Sequence, residues 1–565
     1  MANKLELTWV GKNELKNIEP RILIEDKSKS YGDSDSENLL IHGDNLLALK
    51  ALEKDYAGKI NLIYIDPPYN TGNAFEYYDD NLEHSIWLNM MNERIKILYR
   101  LLDNNGTFVV QLDAQEIHYC KILLDEIFGR DKFIAQVTYE RSGVGGLGQG
   151  GAIINTGEYI LIYQKGMRHV NEVKSSMPID IKTMKRYNKI MTDFGDKELV
   201  REFESKSNGE IVKIFKHNNY VIDTFSFKNK KDDKELRLEY GNYYYKLFRS
   251  FLIQKENAFQ HDIIKDMDKT CLYSVEYIPS RGKYEGQLTN LYYINKELIG
   301  WLKDTSNLEN GEVVKESKLT NIWSNSEIPK ADLPNEGHVT FPRNKKPEQL
   351  IKRIIDMFTN EGDLVLDSFL GSGTTAAVAH KMNRRWIGIE MGNHCYTHCI
   401  PRIKSIIDGD DKTGITKIVN WNGGGGYKFY ELAPTLIEKD AFEQEVINPK
   451  YDEKMLSEAV ALHEGFDYEP SNEYYWKQSK GNEKSYLYVT TKFVGEATLD
   501  NIKSELKDDE YLIIACTSYD ENIEHKYKNI KIKKIPEMLL SQCEYGVDNY
   551  DLNVVEEEEV YEDEW

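Results

Sequence analysis

Four consecutive residues, Asp66-Pro67-Pro68-Tyr69, carry groups that could bind and orient an aromatic amine. They follow Ile60–Ile65, a run of mostly branched and aromatic residues that is typical of a strand buried on both faces. The prolines cannot donate to a β-ladder, so they end the strand and hold their neighbours rigidly. A carboxylate and a proline carbonyl can accept hydrogen bonds from an exocyclic –NH2 group while the tyrosine ring stacks on the ring that bears it. An ordinary turn with a capping Asp is the alternative, but the apolar strand before the motif favours a binding corner.

The motif resembles the catalytic motif of the amino-methyltransferases of DNA. The resemblance implies that Asp66, Pro67, Pro68 and Tyr69 are catalytic, and that the acceptor is an exocyclic amine of a base. Adenine N6 is the usual acceptor for the Asp form of the motif, and cytosine N4 is typical of the Ser form. Such a base cannot be reached while it is stacked, so it must be flipped out of the helix.

A second motif has the pattern of a nucleoside-binding turn. A buried strand ending at Asp367 runs into the glycine-containing turn 368–374, which is followed by a helix of small residues. Glycines there let the backbone approach a ligand closely. Glu390 ends the next strand about 20 residues on, where a carboxylate can bind two ribose hydroxyls. A nicotinamide cofactor would fit this motif alone, but it does not account for Asp66 to Tyr69.

This turn resembles the S-adenosylmethionine motif of the same family, and Lys346 lies in a segment that resembles the one holding the methionine end. A helix start at Pro347 explains that segment equally well. Asp44 follows another strand and is expected at the same sheet edge as Asp66, although capping of the next helix is an alternative role. The implied cofactor is S-adenosylmethionine, and the candidate cofactor-binding residues are Asp44, Asp66, Lys346, Asp367, Phe369, Gly371, Ser372, Gly373, Thr374 and Glu390.

The order of these motifs predicts the fold. Strands that alternate with helices around both motifs indicate an α/β protein with a Rossmann-like, mostly parallel sheet. The catalytic motif precedes the cofactor motif, an order that resembles the β group of these enzymes, in which the methyltransferase sheet is circularly permuted. Permutation is physically easy because domain ends often lie close together.

The remaining segments differ in composition from the two motif regions. Between about 165 and 328 strong buried strands are not evident, while lysines and aromatic residues interleave, which suits phosphate contact and base stacking. Residues 70–80 are a candidate lid, and the glycine-rich stretch 143–151 is expected to be a mobile loop. The predicted organisation is an N-terminal extension (1–36), the catalytic half of the methyltransferase domain (37–165), an inserted target-recognition domain (166–330), the cofactor half (331–432) and a C-terminal α+β module for oligomerisation or partner contacts, with an acidic tail (433–565).

Composition limits the function classes. The formal charge of −22 argues against a general nucleic-acid coat protein. The sequence shows no apolar run of membrane-spanning length and no signal peptide, and its six scattered cysteines fit a reducing compartment, so we expect a cytoplasmic protein without membrane contact. Cys395 and Cys399, interleaved with histidines, lack the spacing of zinc sites, and no metal is predicted.

Most of the chain resembles the modification subunit of type III restriction–modification systems. That resemblance implies double-stranded DNA as substrate, a homodimer, and a restriction subunit that translocates and cuts. Two alternatives stay open on the sequence: a stand-alone adenine-N6 or cytosine-N4 methyltransferase, and a non-catalytic DNA-reading subunit.

Overall fold

The computed structural model describes residues 6–13, 17–69, 80–141, 155–167, 170–227, 233–254, 257–281, 284–328, 333–341, 345–482 and 484–546. Residues 70–79 of the predicted lid, the predicted loop at 143–151 and the acidic tail lie outside these ranges. The chain divides into two compact units, one made of Met1–Glu172 with Thr320–Trp565 and the other of Val173–Leu319.

The secondary structure follows in chain order. The strands are β1 (Leu23–Glu25), β2 (Tyr31–Gly32), β3 (Leu39–His42), β4 (Ile60–Ile65), β5 (Leu102–Leu112), β6 (Phe133–Glu140), β7 (Gly157–Gln164), β8 (Lys174–Pro178), β9 (Lys189–Asp193), β10 (Asp196–Glu204), β11 (Ile211–Asn218), β12 (Val221–Thr224), β13 (Leu247–Phe251), β14 (Leu272–Tyr277), β15 (Thr289–Ile294), β16 (Glu297–Trp301), β17 (Asn307–Glu309), β18 (Glu312–Lys318), β19 (Ile322–Trp323), β20 (Leu364–Asp367), β21 (Arg385–Glu390), β22 (Gly426–Leu432), β23 (Ile437–Lys439), β24 (Glu445–Ile447), β25 (Asp467–Tyr468), β26 (Ser479–Lys480), β27 (Ser485–Thr490), β28 (Tyr511–Cys516) and β29 (Ile530–Lys534). The α-helices are α1 (Asn45–Tyr56), α2 (Asp80–Leu101), α3 (Ile117–Phe128), α4 (Ile181–Arg186), α5 (Asp233–Gly241), α6 (Ala258–Ile264), α7 (Glu348–Phe358), α8 (Thr374–Lys381), α9 (Ile400–Ile407), α10 (Glu453–Glu464), α11 (Glu496–Glu505) and α12 (Glu537–Leu540).

A large mixed sheet with helices on both faces forms the centre of the first unit. Its strand order is β1-β22-β3-β21-β20-β4-β5-β7-β6-β19, and the run from β22 to β5 is entirely parallel. One face packs against α1, α2 and α3, and the other against α7, α8 and α9. Burial on both faces explains why these strands read as continuous apolar runs. The predicted α/β fold with a mostly parallel sheet is confirmed.

The two predicted motifs lie on neighbouring strands of this sheet. β4 pairs in parallel with β20, with Ile63 opposite Leu366, and β20 pairs in parallel with β21. Parallel neighbours end at the same edge, so Asp66, Asp367 and Glu390 leave the sheet side by side. At this edge the order of the strands in the sheet departs from their order along the chain. Such a position is the usual place for a ligand in an open α/β sheet.

Residues from both ends of the chain complete the first unit. β1 and β2, from the segment described above as an extension, pair with β22. The C-terminal residues form a separate sheet of order β25-β26-β27-β28-β29, in which β27, β28 and β29 are parallel. The core of this module includes Ile22 from the N-terminal segment.

The second unit contains more strands than its sequence indicates. An antiparallel sheet of order β10-β11-β14-β15-β16-β13-β9-β12 spans it, with a three-stranded sheet β17-β18-β8 beside it in the same unit. The expectation that strong strands are missing here is wrong. Antiparallel strands with one solvated face alternate apolar and polar residues and lack the continuous apolar runs of the central sheet. β11 illustrates this, with Val212 and Ile214 buried and Lys213 exposed.

Within the described residues, no helix is both long enough and apolar enough to cross a membrane.

Candidate active site

A pocket of about 300 Å³ opens at the carboxyl ends of β4, β20 and β21. It brings the catalytic and cofactor motifs to one cavity. Of the predicted site residues, Asp44 and Gly373 are not among those that line it. The lining residues are Asn45, Tyr64, Asp66, Pro67, Pro68, Tyr69, Phe341, Lys346, Asp367, Ser368, Phe369, Leu370, Gly371, Ser372, Thr374, Thr375, Glu390, Met391, Gly392 and His394.

The Asp66–Tyr69 corner is held by hydrogen bonds as well as by its prolines. The Tyr69 hydroxyl donates to Asp66 Oδ1 over 2.6 Å. The indole Nε1 of the buried Trp87 donates to the Pro68 carbonyl over 2.8 Å. The corner therefore presents its acid and its aromatic ring with little freedom to move.

Lys346 lies against this corner. Its Nζ is 2.8 Å from Asp66 Oδ2, donates to the Tyr69 hydroxyl over 2.8 Å, and lies 3.4 Å from Glu158 Oε2. Burial would lower the pKa of Lys346, but Asp66 and Glu158 outweigh burial and the pKa lies above its usual value. Burial raises the pKa of Asp66, and the nearby lysine opposes that rise. The result is a lysine ammonium shared by two carboxylates at the pocket wall.

Glu158 is a contact residue that the motifs did not reveal. It is buried at the start of β7, and its Oε2 also accepts a hydrogen bond from Gln111 Nε2, whose own carbonyl accepts from the Tyr64 hydroxyl over 2.8 Å. The available signal was an acid beside an apolar strand, which is common and points to no partner. The approach to Lys346 is a tertiary contact that the sequence does not encode locally.

The glycine turn after β20 has the geometry that its sequence predicts. Gly371 and Gly373 have φ values of +55° and +81°, a region that favours glycine. Asp367 anchors the turn by accepting from the Phe369 amide (2.9 Å) and the Thr375 hydroxyl (2.6 Å). Burial raises the pKa of Asp367 to about 7, although the two hydrogen bonds act to lower it.

Glu390 faces the same turn from β21. Its Oε2 accepts from the Gly371 amide over 2.7 Å, and its Oε1 accepts from the Gly392 amide over 2.9 Å and lies 2.9 Å from His394 Nε2. A Cβ placed on Gly371 would have its nearest neighbour, the Phe369 carbonyl oxygen, 4.0 Å away. The turn therefore leaves open space beside a carboxylate, an arrangement that fits a nucleoside with free ribose hydroxyls.

Asp44 and its neighbour have different roles in the structure. Asp44 caps α1, because its Oδ1 accepts from the Leu47 amide over 3.1 Å, and its Oδ2 lies 3.4 Å from Arg94 Nη2. Asn45 lines the pocket instead and donates to the Ser368 carbonyl over 2.7 Å. Cofactor contact by Asp44 stays a prediction.

Cys395 and Cys399 lie in a π-helical turn that leads into α9, and both are buried. The Cys399 thiol donates to the Gly371 carbonyl over 3.2 Å. In the described part of the chain, no group of three or more His, Cys, Asp or Glu side chains is placed to hold a metal ion.

An open, mostly parallel sheet with a nucleoside-type turn and an acidic, aromatic corner at one edge defines an α/β enzyme of the methyltransferase class. Residues 60–400 match a family model described as DNA methylase. The chain belongs to this DNA methylase family, which confirms the family predicted from the two motifs. S-adenosylmethionine is the methyl donor that the motifs of this family imply.

Three relatives illustrate the family. The probable type III restriction-modification enzyme HindVI Mod subunit of Haemophilus influenzae is 39% identical over 71% of this chain and 54% of its own length. The type III EcoPI Mod subunit of Escherichia phage P1 is 27% identical over 67% of this chain and 61% of its own. The type II methyltransferase M.KpnI of Klebsiella pneumoniae is 28% identical over 66% of this chain and 80% of its own. The chain thus spans between half and two thirds of the length of these two Mod subunits.

Proposed function

We propose that the protein is a site-specific DNA methyltransferase that transfers a methyl group from S-adenosylmethionine to N6 of a flipped-out adenine in double-stranded DNA. One observation carries the proposal: Asp66 and Tyr69 line the same pocket as the glycine turn and Glu390. A pocket with only one of these parts would bind a nucleoside or orient an amine, but it would not bring a donor and an acceptor together.

The catalytic roles follow from the chemistry of the corner. Asp66 and the Pro67 carbonyl accept hydrogen bonds from the target amino group and fix the direction of its lone pair. Tyr69 stacks on the flipped base, which offsets part of the cost of unstacking, about a few kcal/mol. Asp66 Oδ2 already accepts from Lys346, and an ionised carboxylate has further acceptor sites for the amine. Alignment of the two reactants is the main catalytic contribution.

The cofactor roles follow from the turn and its neighbours. S-adenosylmethionine, when bound, supplies an electrophilic methyl group on a sulfonium. Glu390 would bind the ribose hydroxyls, and the turn around Gly371 would pack against the nucleoside. Lys346 is the nearby cation suited to the carboxylate of the methionine end. Asp367 would act through the turn that it anchors.

The biological setting is a further part of the proposal. Two of the relatives described above are Mod subunits of type III systems, and the similarity covers about two thirds of this chain. We therefore assign the protein as a modification subunit that forms a homodimer and joins a restriction subunit. The second unit, Val173–Leu319, would read the DNA sequence, and an enzyme that marks the cell's own DNA would work in the cytoplasm.

Nucleoside mass spectrometry of DNA incubated with the purified protein and methyl-labelled S-adenosylmethionine tests the proposal. The expected product is N6-methyladenine at one sequence, with none formed by Asp66→Ala. N4-methylcytosine instead would support the cytosine-specific alternative. Cofactor binding without any labelled base, on DNA of varied sequence, would support a non-catalytic reader. A solution mass equal to that of one chain would contradict the homodimer.

A further inference from the structure

Four buried charged side chains form a connected cluster in the first unit, next to the glycine turn. They are the acids Glu348 and Asp411 and the bases Lys381 and Arg402. Glu348 pairs with Lys381 (2.8 Å) and with Arg402 (2.9 Å), and Lys381 also pairs with Asp411 (2.6 Å). Isolated buried charges are costly, and this cluster balances two acids with two bases.

Arg402 connects the cluster to the turn. Its Nη1 donates to the Ser372 carbonyl over 3.1 Å and to the Thr374 hydroxyl over 2.9 Å, while its Nη2 donates to Glu348 Oε1 over 2.9 Å. Ser372 and Thr374 both line the pocket. One guanidinium thus holds two pocket-lining residues and one buried acid, which its planar fork of donors suits well.

Glu348 connects the cluster to the other wall of the pocket. It is the first residue of α7, two positions after Lys346, and its Oε2 accepts from the Ile415 amide over 3.0 Å. A Cβ on Gly414 would lie 2.1 Å from Glu348 Oε2, and a Cβ on Gly337 would lie 2.4 Å from Arg402 Nε. Both glycines also have positive φ. The backbone at these two positions therefore packs directly against this ion pair and leaves no room for a side chain.

We propose that Arg402 is a positioning residue for the cofactor turn, with Glu348 as the anchor that fixes its guanidinium and ties the turn to the Lys346 segment. The inference rests on the proposed function, because it takes the turn to bind S-adenosylmethionine. A buried ion pair that serves stability alone can often be replaced by apolar groups without loss. A pair that fixes pocket-lining atoms cannot be replaced in that way without changing the affinity for the ligand.

The test compares Arg402→Met with Lys381→Met. Each change removes one cation from Glu348 and leaves the other in place. Within the described residues, Lys381 makes no hydrogen bond to the turn 371–374, so its replacement is the matched control. The probe is S-adenosylhomocysteine, titrated calorimetrically into the full-length protein, together with the melting temperature and the steady-state constants for S-adenosylmethionine and DNA.

Arg402→Met should raise the Kd for S-adenosylhomocysteine about tenfold or more, because charge-assisted hydrogen bonds to the turn are lost. KM for S-adenosylmethionine should rise in parallel, whereas KM for DNA should not change. Lys381→Met should lower the melting temperature without changing that Kd. Arg402→Lys keeps the charge but cannot bridge three acceptors in a plane, so it should restore only part of the affinity. It also serves as the deciding variant if Arg402→Met does not fold.

Equal affinity of the wild type, Arg402→Met and Arg402→Lys for the probe would overturn the positioning role, whatever happens to the melting temperature. A comparable loss of affinity in Lys381→Met would also overturn it, because the cluster would then act only through general stability. Failure of the wild type to bind the probe at all would count against the proposed function instead, so the two failures are distinguishable.

Discussion

Lys346 Nζ lies 2.8 Å from Asp66 Oδ2. The two residues come from different halves of the permuted fold, because Asp66 follows strand β4 and Lys346 precedes helix α7. The contact joins the corner proposed to hold the target amine with the segment proposed to hold the methionine end of the cofactor. Because Asp66 is largely buried, the ion pair is only weakly screened by water. A change at either residue should therefore alter the electrostatic environment of the other.

Replacement of Asp66 by Ala should lower the methylation rate by at least about 100-fold, because the acceptor that orients the amine is lost. Cofactor binding and folding should be largely retained, since Lys346 keeps Glu158 as a partner at 3.4 Å. Tritium transfer to DNA and titration with S-adenosylhomocysteine measure the two effects separately. Substantial activity in Asp66→Ala would show that the role is misassigned, whereas the isosteric Asp66→Asn keeps one acceptor oxygen and should retain part of the activity.

The contribution of Tyr69 to activity should divide into one part from its ring and one part from its hydroxyl. Tyr69→Phe keeps the ring but removes the hydrogen bonds to Asp66 and Lys346, so kcat should fall about tenfold. Tyr69→Ala also removes the stacking surface, so it should reduce kcat and change the fluorescence of 2-aminopurine placed at the target position. Unchanged fluorescence in Tyr69→Ala would argue that the ring does not contact the flipped base.

Asp367 should give the protein a measurable dependence of stability on pH. Burial raises its pKa from 3.8 to about 7, so the native state holds the proton more tightly than the unfolded chain does. Wild-type stability from this group is therefore present at acid pH and decreases as pH rises between these two values. Asp367→Asn has no titrating group at this position, so it does not share this loss of stability. The free energy of unfolding of the variant minus that of the wild type should therefore increase by on the order of a few kcal/mol between about pH 5 and about pH 8.

Urea denaturation of both proteins at the two pH values, without ligand, makes this comparison. The difference between wild type and variant cancels the contributions of the other carboxyl groups. A difference that stays constant with pH would mean that Asp367 is ionised in the native state across the whole range.

Glu390→Gln should weaken S-adenosylhomocysteine binding by about tenfold, because a neutral amide is a poorer acceptor for ribose hydroxyls than a carboxylate. Glu431→Gln is the matched control: it lies near the end of strand β22, which β3 separates from β21, and it bonds to Tyr396 and His42, outside the pocket lining. Calorimetric titration compares the two. An equal loss of affinity in both variants would point to a general effect of charge at this sheet edge.

The sequence was most informative where a few adjacent residues encode both a local structure and its chemistry. Asp66 after a buried strand, and Glu390 a fixed distance beyond a glycine turn, could be assigned because strand ends in a parallel sheet converge on one edge. The order of the motifs also indicated the permutation, which is consistent with β20 lying between β4 and β21.

Residues that act through distant contacts were not predictable. Glu158 and Arg402 reach the pocket only because separate helices and strands pack together, and neither lies in a pattern with a chemical meaning of its own. Asp44 illustrates a different limit: an Asp at a strand end before a helix can cap or bind, and in the structure it caps α1. The strands of the second unit were missed because their burial is one-sided.

The most direct test of the central claim is the identity of the base that carries the label after the protein acts on double-stranded DNA with methyl-labelled S-adenosylmethionine. We expect N6-methyladenine with wild type and none with Asp66→Ala, although both proteins bind the cofactor. Labelled adenine of equal yield in the Asp66→Ala variant, or no labelled base from a wild type that binds cofactor and DNA, would contradict it.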